Sequence, residues 1–230
     1  MLVLAIDTAT KIASVALYDD KIGVVGEINL YVKLNHSTVI MSAIDNLFKM
    51  TNITLKDIDK VAVTVGPGSF TGIRIGVAIA KGLVYGTDKK IVGINELDVI
   101  AYNAEGRNEK IVPLIDARKE RVYASTYSFN NGKLKRLSEY VNCDLSDIID
   151  SIEGEKTIFI GDGAIAYKDI IEERLKDNAF VFSKTSSIPR AVVAAKIACE
   201  KGEDNLYTLE PYYINKSQAE IEKEKRENSN

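Results

Sequence analysis

The segment with the clearest chemical potential is the run GPGSFTGIRIG at residues 66–76, which follows a predicted strand and opens a predicted helix. Such a turn can present backbone N–H groups at the positive end of a helix, which suits an anion. It lacks the Lys-Ser/Thr ending of a Walker A loop and does not fit G-x-G-x-x-G. The structural alternative is that the glycines form the turn and permit close packing while a hydroxyl group caps the helix. Both interpretations concern the motif loop, which we define as Gly66, Pro67, Gly68, Ser69, Phe70, Thr71 and Gly72.

Metal ligands and nucleophile partners are scarce in this sequence. His36 is the one histidine, and Cys143 and Cys199 lie far apart without a C-x-x-C pair. A zinc site built from protein side chains needs more such ligands, so we expect no metal site. A serine hydrolase needs a Ser-His-acid set, and beyond His36 nothing supports one. We interpret His36 as a residue at the start of a helix.

Composition narrows the class of protein. The 230 residues carry 30 Lys+Arg and 33 Asp+Glu, a net charge of −3, which argues against a basic nucleic-acid-binding surface. With 46% hydrophobic and 27% charged residues the chain can bury a core, which excludes disordered and fibrous classes. No secretory signal is visible, and the most apolar stretch, 72–86, is too short to cross a bilayer. We expect a soluble, cytoplasmic protein without a membrane partner.

Hydrophobic periodicity predicts an alternation of strands and helices. Alternating and apolar runs indicate strands at 2–6, 12–18, 22–31, 60–65 and 91–94, and helices follow from 37, over 71–85 and over 96–104. A second set of strands is expected at 111–115, 133–141 and 157–160, with a helix after Gly163 and another over 190–200. This alternation is typical of the α/β class.

An internal repeat suggests duplication. LVLAIDTATKIASVALY at 2–18 aligns without a gap with IVPLIDARKERVYASTY at 111–127, and Asp7 matches Asp116. Each copy is a strand that ends in aspartate, a polar turn and a second strand. We therefore predict two similar lobes, 1–105 and 106–215, the second smaller, followed by a charged and flexible tail at 216–230.

The first two predicted helices carry more apolar surface than one sheet face requires. The first has two apolar rows, and the second, 71–85, is apolar nearly all round with only Arg74 and Lys81 charged. We predict an association surface there, unless the helices cover opposite faces of their own sheet. The predicted interface consists of Val39, Ile40, Ala43, Ile44, Leu47, Ile73, Val77, Ala80, Lys81 and Val84.

The run GPGSFTGIRIG closely resembles the hallmark of the bacterial TsaB (YeaZ) family, a subunit of the machinery that makes N6-threonylcarbamoyladenosine at position 37 of tRNA. The resemblance extends over most of the chain up to about residue 215. It includes IDTAT at 6–10, His36-Ser37, IDARKERVY at 115–123, GDGA at 161–164 and PYYI at 211–214.

This resemblance implies a fold of two duplicated actin-like lobes (ASKHA, ribonuclease H-like), as in actin, Hsp70 and sugar kinases. Nucleotide-binding relatives hold phosphates in the two strand-ending turns and adenosine in a third, glycine-rich loop. Because Arg118-Lys119-Glu120 is bulky and charged, we expect no required cofactor and at most weak ATP or ADP binding. The corresponding degenerate loop residues are Asp7, Thr8, Thr10, Asp116, Arg118, Gly161 and Gly163.

The resemblance also implies a role and partners. The sister subunit TsaD holds a metal with an H-x-x-x-H pair that this chain lacks, so we expect a non-catalytic scaffold that pairs with TsaD. The TsaE ATPase joins through the complex, tRNA is contacted indirectly, and the chain alone forms a homodimer. The alternative is a nucleotide-dependent phosphotransferase or ATPase of the same superfamily, and a residual ATPase activity stays open.

Overall fold

The computed structural model describes residues 1–32, 36–152 and 154–214. The predicted flexible tail at 216–230 lies outside these residues, as does the side chain of His36. The first sheet contains β1 (Leu2–Asp7), β2 (Ile12–Asp19), β3 (Gly23–Tyr31), β4 (Lys60–Gly66) and β5 (Lys90–Asn95). Three helices belong to the same half of the chain: α1 (His36–Thr51), α2 (Phe70–Val84) and α3 (Glu96–Tyr102).

The second half of the chain contains a mixed sheet and four more helices. Its strands are β6 (Lys110–Asp116), β7 (Arg121–Ala124), β8 (Tyr127–Asn130), β9 (Lys133–Arg136), β10 (Val141–Asp144), β11 (Thr157–Ile160) and β12 (Ala179–Val181). Its helices are α4 (Leu145–Ser151), α5 (Asp162–Ala166), α6 (Lys168–Leu175) and α7 (Ala191–Glu200). The predicted strand 133–141 is in fact two strands, β9 and β10, and α4 and β12 were not predicted.

Sheet order supports the predicted repeat. The first sheet runs β3-β2-β1-β4-β5, with β1 antiparallel to β2 and parallel to β4. The second runs β10-β7-β6-β11-β12 with the same orientations around β6, and the β8–β9 hairpin branches from it. The two central strands occupy equivalent places, as the alignment of residues 2–18 with 111–127 requires.

The apolar rows of the first two helices are buried in the core of the first lobe. Strand β1 is buried on both faces, as a central strand covered on each side should be. Leu4 and Ile6 point to α1 and α2, whereas Val3 and Ala5 point to α7. The helices α1 and α2 therefore cover the same face of the sheet, and α7 covers the other.

This packing corrects the predicted interface. Ile40, Ala43, Ile44, Leu47, Ile73, Val77, Ala80 and Val84 all belong to the core between the two helices and the sheet, each with no more than 5% of its surface exposed. Residues buried within one chain have no surface to offer a partner. Of the predicted set, Val39 and Lys81 alone are half-buried. Solvent meets the opposite side of both helices.

The predicted lobe boundary also needs correction. Residues 191–214 follow the second lobe in sequence but pack on the first. Helix α7 fills the face that 1–105 leaves uncovered, Asp204 bridges to Ile91 at the sheet edge, and Tyr212 N–H donates to the Val65 carbonyl at 2.7 Å. The chain thus returns to the first lobe because both faces of its sheet must be covered by other elements.

Helix α3 lies between the lobes. Its Val99 packs with α7 on the first sheet, and its Leu97 and Ala101 pack against the second sheet beside Ile111. Within the described residues no helix combines the length and apolar character needed to span a membrane.

Candidate functional site

A cleft of about 500 Å³ separates the lobes where β1, β4 and β6 end. The structure brings together there most of the residues predicted for the turns and the motif loop. An adjoining pocket of about 190 Å³ is lined by Ile100, Ile165 and Ser187. The predicted residues that line the cleft are Thr10, Gly68, Ser69, Phe70, Thr71, Asp116 and Arg118.

The motif loop packs closely against the first turn. A Cβ atom on Gly68 would overlap the carbonyl oxygen of Ala9, and one on Gly72 would overlap that of Thr8. The Ser69 N–H donates to the Ala9 carbonyl at 2.6 Å, and Thr8 Oγ1 donates to the Gly72 carbonyl at 2.7 Å. Ser69 Oγ also accepts from the Gly72 N–H at 3.2 Å and caps α2. These contacts support the structural interpretation of the loop.

The second lobe repeats this arrangement. Gly161 follows β11 as the motif loop follows β4, and a Cβ atom on it would overlap the Leu114 carbonyl oxygen of β6. A Cβ on Gly163 would press on the Asp116 N–H. The two glycine loops thus occupy equivalent places: the motif loop packs its backbone on the turn that follows β1, and the Gly161 loop packs its backbone on β6.

The turns offer few free donors to a phosphate. In the second turn the N–H groups of Ala117, Arg118, Glu120 and Arg121 all donate within the protein. Arg118, Lys119 and Glu120 have φ angles of 68°, 54° and 57°, a left-handed conformation that disfavours side chains. A nucleotide cradle needs small residues with free N–H groups, so these residues do not fit a tightly held triphosphate.

The charge of the cleft is mixed. Two basic residues, Lys11 and Arg118, and two acidic residues, Asp116 and Asp162, line it. Asp116 Oδ1 accepts from Tyr167 Oη at 2.8 Å, and Asp162 Oδ1 accepts from the Asp116 N–H at 3.1 Å. Among the described residues, no three or more His, Cys, Asp or Glu side chains come close enough to hold a metal ion.

Below the cleft lies a carboxyl pair that the sequence analysis did not identify. Asp7 and Glu96 are both fully buried and in contact. Asp7 Oδ1 accepts from the Ala9 N–H at 3.0 Å and from Thr64 Oγ1 at 2.8 Å, while Asp7 Oδ2 and both oxygens of Glu96 find no donor among the described residues. Burial, and then the charge of Asp7, raises the pKa of Glu96 well above its usual range. A proton on Glu96 would relieve the repulsion between the two acids and give Asp7 a donor. A glutamate at the first position of a helix gives no signal of this burial in the sequence.

A second candidate site is the solvent side of α1 and α2, which we call the outer face. Its exposed members include Met41 with 46% exposure, together with small residues on α2. At one end Tyr213 stacks on Phe70 at 4.9 Å and accepts a hydrogen bond from Arg74 Nε at 2.9 Å. The outer face consists of Met41, Ser42, Asp45, Asn46, Lys49, Thr71, Arg74, Ala78 and Gly82.

Sequence comparison identifies relatives of this chain. Residues 8–223 match the family described as TsaD: tRNA N6-adenosine threonylcarbamoyltransferase. The chain is 32% identical over 222 residues to the tRNA threonylcarbamoyladenosine biosynthesis protein TsaB of Bacillus subtilis, with 96% of each chain covered.

Structural comparison agrees. YeaZ from Pseudomonas aeruginosa superposes with a TM-score of 0.76 at 22% identity, covering 92% of this chain and 99% of that one. An activator of 2-hydroxyisocaproyl-CoA dehydratase from Clostridium difficile with bound ADPNP superposes with a TM-score of 0.50 at 11% identity, covering 89% and 99%. The expected α/β, actin-like (ASKHA) fold is confirmed.

Proposed function

Because this chain belongs to the TsaB (YeaZ) family of tRNA threonylcarbamoyladenosine biosynthesis proteins, we propose that it is a non-catalytic subunit that pairs with TsaD. In this role it is required for transfer of the threonylcarbamoyl group to N6 of adenosine 37 in tRNA. TsaD carries the chemistry, and this chain supplies a surface that organises it.

The observation that carries this proposal is the outer face. Ala78 and Gly82 lie one turn apart on α2 and are both exposed, and open space surrounds Gly82. Small residues at this spacing allow a partner helix to approach closely. Met41 on α1 adds an adaptable apolar side chain, which favours a helical partner. A sister subunit of similar fold could offer the same kind of helix pair, and without it a second copy of this chain could do so.

The cleft supports the non-catalytic part of the proposal. Its second turn uses the N–H groups of Ala117, Arg118, Glu120 and Arg121 internally, and the cleft carries two acids against two bases. We infer that this subunit requires no cofactor and binds ATP or ADP weakly at most. The TsaE ATPase and tRNA then reach this subunit only through the complex with TsaD. No specific contact favours the alternative of an independent phosphotransferase.

The test is Ala78→Glu. We expect this chain to fold normally and to lose TsaD, because the carboxylate would be buried without a partner in the interface. At about 1.4 kcal/mol per tenfold in affinity, a penalty of several kcal/mol gives roughly a thousandfold weaker complex. Light scattering of the mixture measures the complex, and tRNA modification by the reconstituted system measures the function.

Ala166→Glu is the matched control, because Ala166 is an exposed helical alanine of the second lobe, on α5. We expect it to bind TsaD and support modification as the wild type does. Unchanged binding by the Ala78→Glu chain would show that the outer face is not the interface. Modified tRNA formed by this chain without TsaD would contradict the non-catalytic role.

A further inference from the structure

A pocket of about 410 Å³ opens between the lobes at α3 and α7, lined by residues other than those of the cleft and the outer face. From the first lobe come Asp98, Tyr102, Lys196 and Ile197, and from the second come the β8–β9 hairpin and Tyr140. Its volume falls in the range of about 300–1,000 Å³ that small-molecule sites occupy. Nothing in the proposed scaffold role uses this pocket.

The pocket carries an excess of positive charge. Lys133, Arg136, Lys196 and Lys201 line it, against Asp98 and Glu200. Two of these cations are already engaged: Lys196 Nζ binds Glu105 at 2.9 Å, and Lys201 Nζ donates to the Gly93 carbonyl at 2.6 Å.

The other two cations, on β9, are available to a ligand. Arg136 meets one carboxylate among the described residues, Glu139 at 3.8 Å, and that side chain is 87% exposed. Lys133 forms no ion pair with any described residue. Lys133 and Arg136 therefore give the pocket two cations for an anion to bind.

The acid in the pocket, Asp98, is held by hydrogen bonds from two tyrosine hydroxyl groups. Asp98 Oδ1 accepts from Tyr127 Oη at 2.7 Å and from Tyr140 Oη at 2.9 Å, and Asp98 Oδ2 accepts from Tyr140 Oη at 3.0 Å. Tyr127 is 99% buried, so this network is fixed. A carboxylate that accepts from two hydroxyl groups repels an incoming anion less than a free one.

The remaining lining is largely apolar. The Arg136 guanidinium lies 4.0 Å over the Tyr140 ring, and Tyr102, Leu134 and Ile197 complete the walls. An inorganic ion would leave this surface unused. A long nucleic acid is disfavoured because the protein has a net charge of −3.

We propose that this pocket binds a nucleoside monophosphate, with the phosphate at Lys133 and Arg136 and the flat base against Tyr102, Leu134 and Ile197. The proposal does not depend on pairing with TsaD. Because the walls come from both lobes, the bound molecule would hold the two lobes together.

The test is calorimetric titration of the full chain with AMP, adenosine and inorganic phosphate. We expect AMP to bind, and adenosine and phosphate each to bind at least tenfold more weakly because each satisfies only one half of the pocket. Arg136→Gln and Lys133→Gln should each weaken AMP binding about tenfold or more, the value of one charge-assisted hydrogen bond.

Two controls separate this pocket from other surfaces. Lys135→Gln removes the same charge from the same strand outside the pocket, and Arg118→Gln removes one from the cleft. Both should leave AMP binding unchanged, and circular dichroism should show all four variants folded. Absence of binding at millimolar AMP would overturn the proposal, as would binding that Arg118→Gln weakens and Arg136→Gln does not. We expect the Arg136→Gln chain to pair with TsaD as the wild type does, whether or not the pocket binds AMP.

Discussion

Asp7 and Glu96 place two carboxyl groups in contact inside the first lobe, with three oxygens that lack donors among the described residues. Two adjacent buried negative charges are strongly unfavourable, so the pair must keep a proton. Asp7 ends β1 and accepts two hydrogen bonds, which favour its charged form, whereas Glu96 accepts none from a described residue. The proton is therefore held more readily by Glu96 than by Asp7.

Stability should consequently fall as the pH rises above the usual glutamate pKa. A carboxyl whose folded pKa is raised binds more protons in the folded state, so its stabilisation is full below the unfolded pKa of 4.5 and is lost toward the folded pKa. Within that window, each increase of one pH unit lowers the free energy of unfolding by about 1.4 kcal/mol. We predict that Glu96→Gln, which stays neutral, raises Tm relative to the wild type by an amount that grows from pH 5 to pH 9.

Thermal unfolding of both chains across this pH range is the measurement. Glu173→Gln is the control, because Glu173 is exposed on α6, and its curve should parallel that of the wild type. Parallel curves for Glu96→Gln and wild type would show that Glu96 is ionised in the folded protein.

At the scale of elements, two glycines of α2, Gly72 and Gly82, differ in the space around them. Gly72 lies against the Thr8 carbonyl of the first turn, whereas Gly82 faces open space two to three turns later on the same helix. The first turn and the helix start are thus fixed to one another by backbone contact. The geometry of the cleft rim depends on that contact.

We predict that Gly72→Ala destabilises the fold by about 3 kcal/mol, because the new Cβ atom has no space beside a backbone oxygen. For a chain of this size that lowers Tm by roughly 6–12 °C. Gly82→Ala on the same helix should instead stabilise the protein, by up to about 1 kcal/mol, because alanine is the better helix former. Urea unfolding of the two variants gives both values, and equal effects would refute the close contact at Gly72.

At the scale of the whole molecule, the inner and outer sides of α1 and α2 have different environments. The inner side forms the first lobe's core with β1 and β2, and the outer side faces solvent. A charged substitution on the inner side should therefore prevent folding, whereas one on the outer side should prevent association.

We predict that Ile44→Glu and Val77→Glu unfold the chain, since each puts an unpaired carboxylate into the core of the monomer. Ala78→Glu, one residue from Val77, should keep the native circular dichroism spectrum and should yield a monomer, whereas we expect the wild type to form a homodimer. Circular dichroism and size-exclusion chromatography with light scattering make the comparison. A folded Val77→Glu chain would mean that this side chain is not in the core.

The architecture and the family can both be predicted from the sequence. Alternating apolar runs fixed most strands and helices within a residue or two, because side-chain period follows directly from backbone geometry. The alignment of residues 2–18 with 111–127 predicted the duplication, and the motif loop placed the chain among its relatives. The motif loop and the first turn meet because the parallel strands β4 and β1 end at the same edge of the first sheet, and the packing of the two lobes brings the second turn to the same cleft.

Only the tertiary structure decided which apolar faces are buried and where. An apolar row on α1 looks the same whether it meets its own sheet or a partner, so Ile44 and Leu47 were assigned to an interface although they fill the core. The second face of the first sheet is covered by α7, which lies more than a hundred residues downstream of β1. The contacts of Glu96 with Asp7, and of Asp98 with two tyrosines of the second lobe, likewise join distant parts of the chain. Local patterns carry no information about such long-range partners, because burial and pKa depend on what the fold brings beside a residue rather than on its neighbours in sequence.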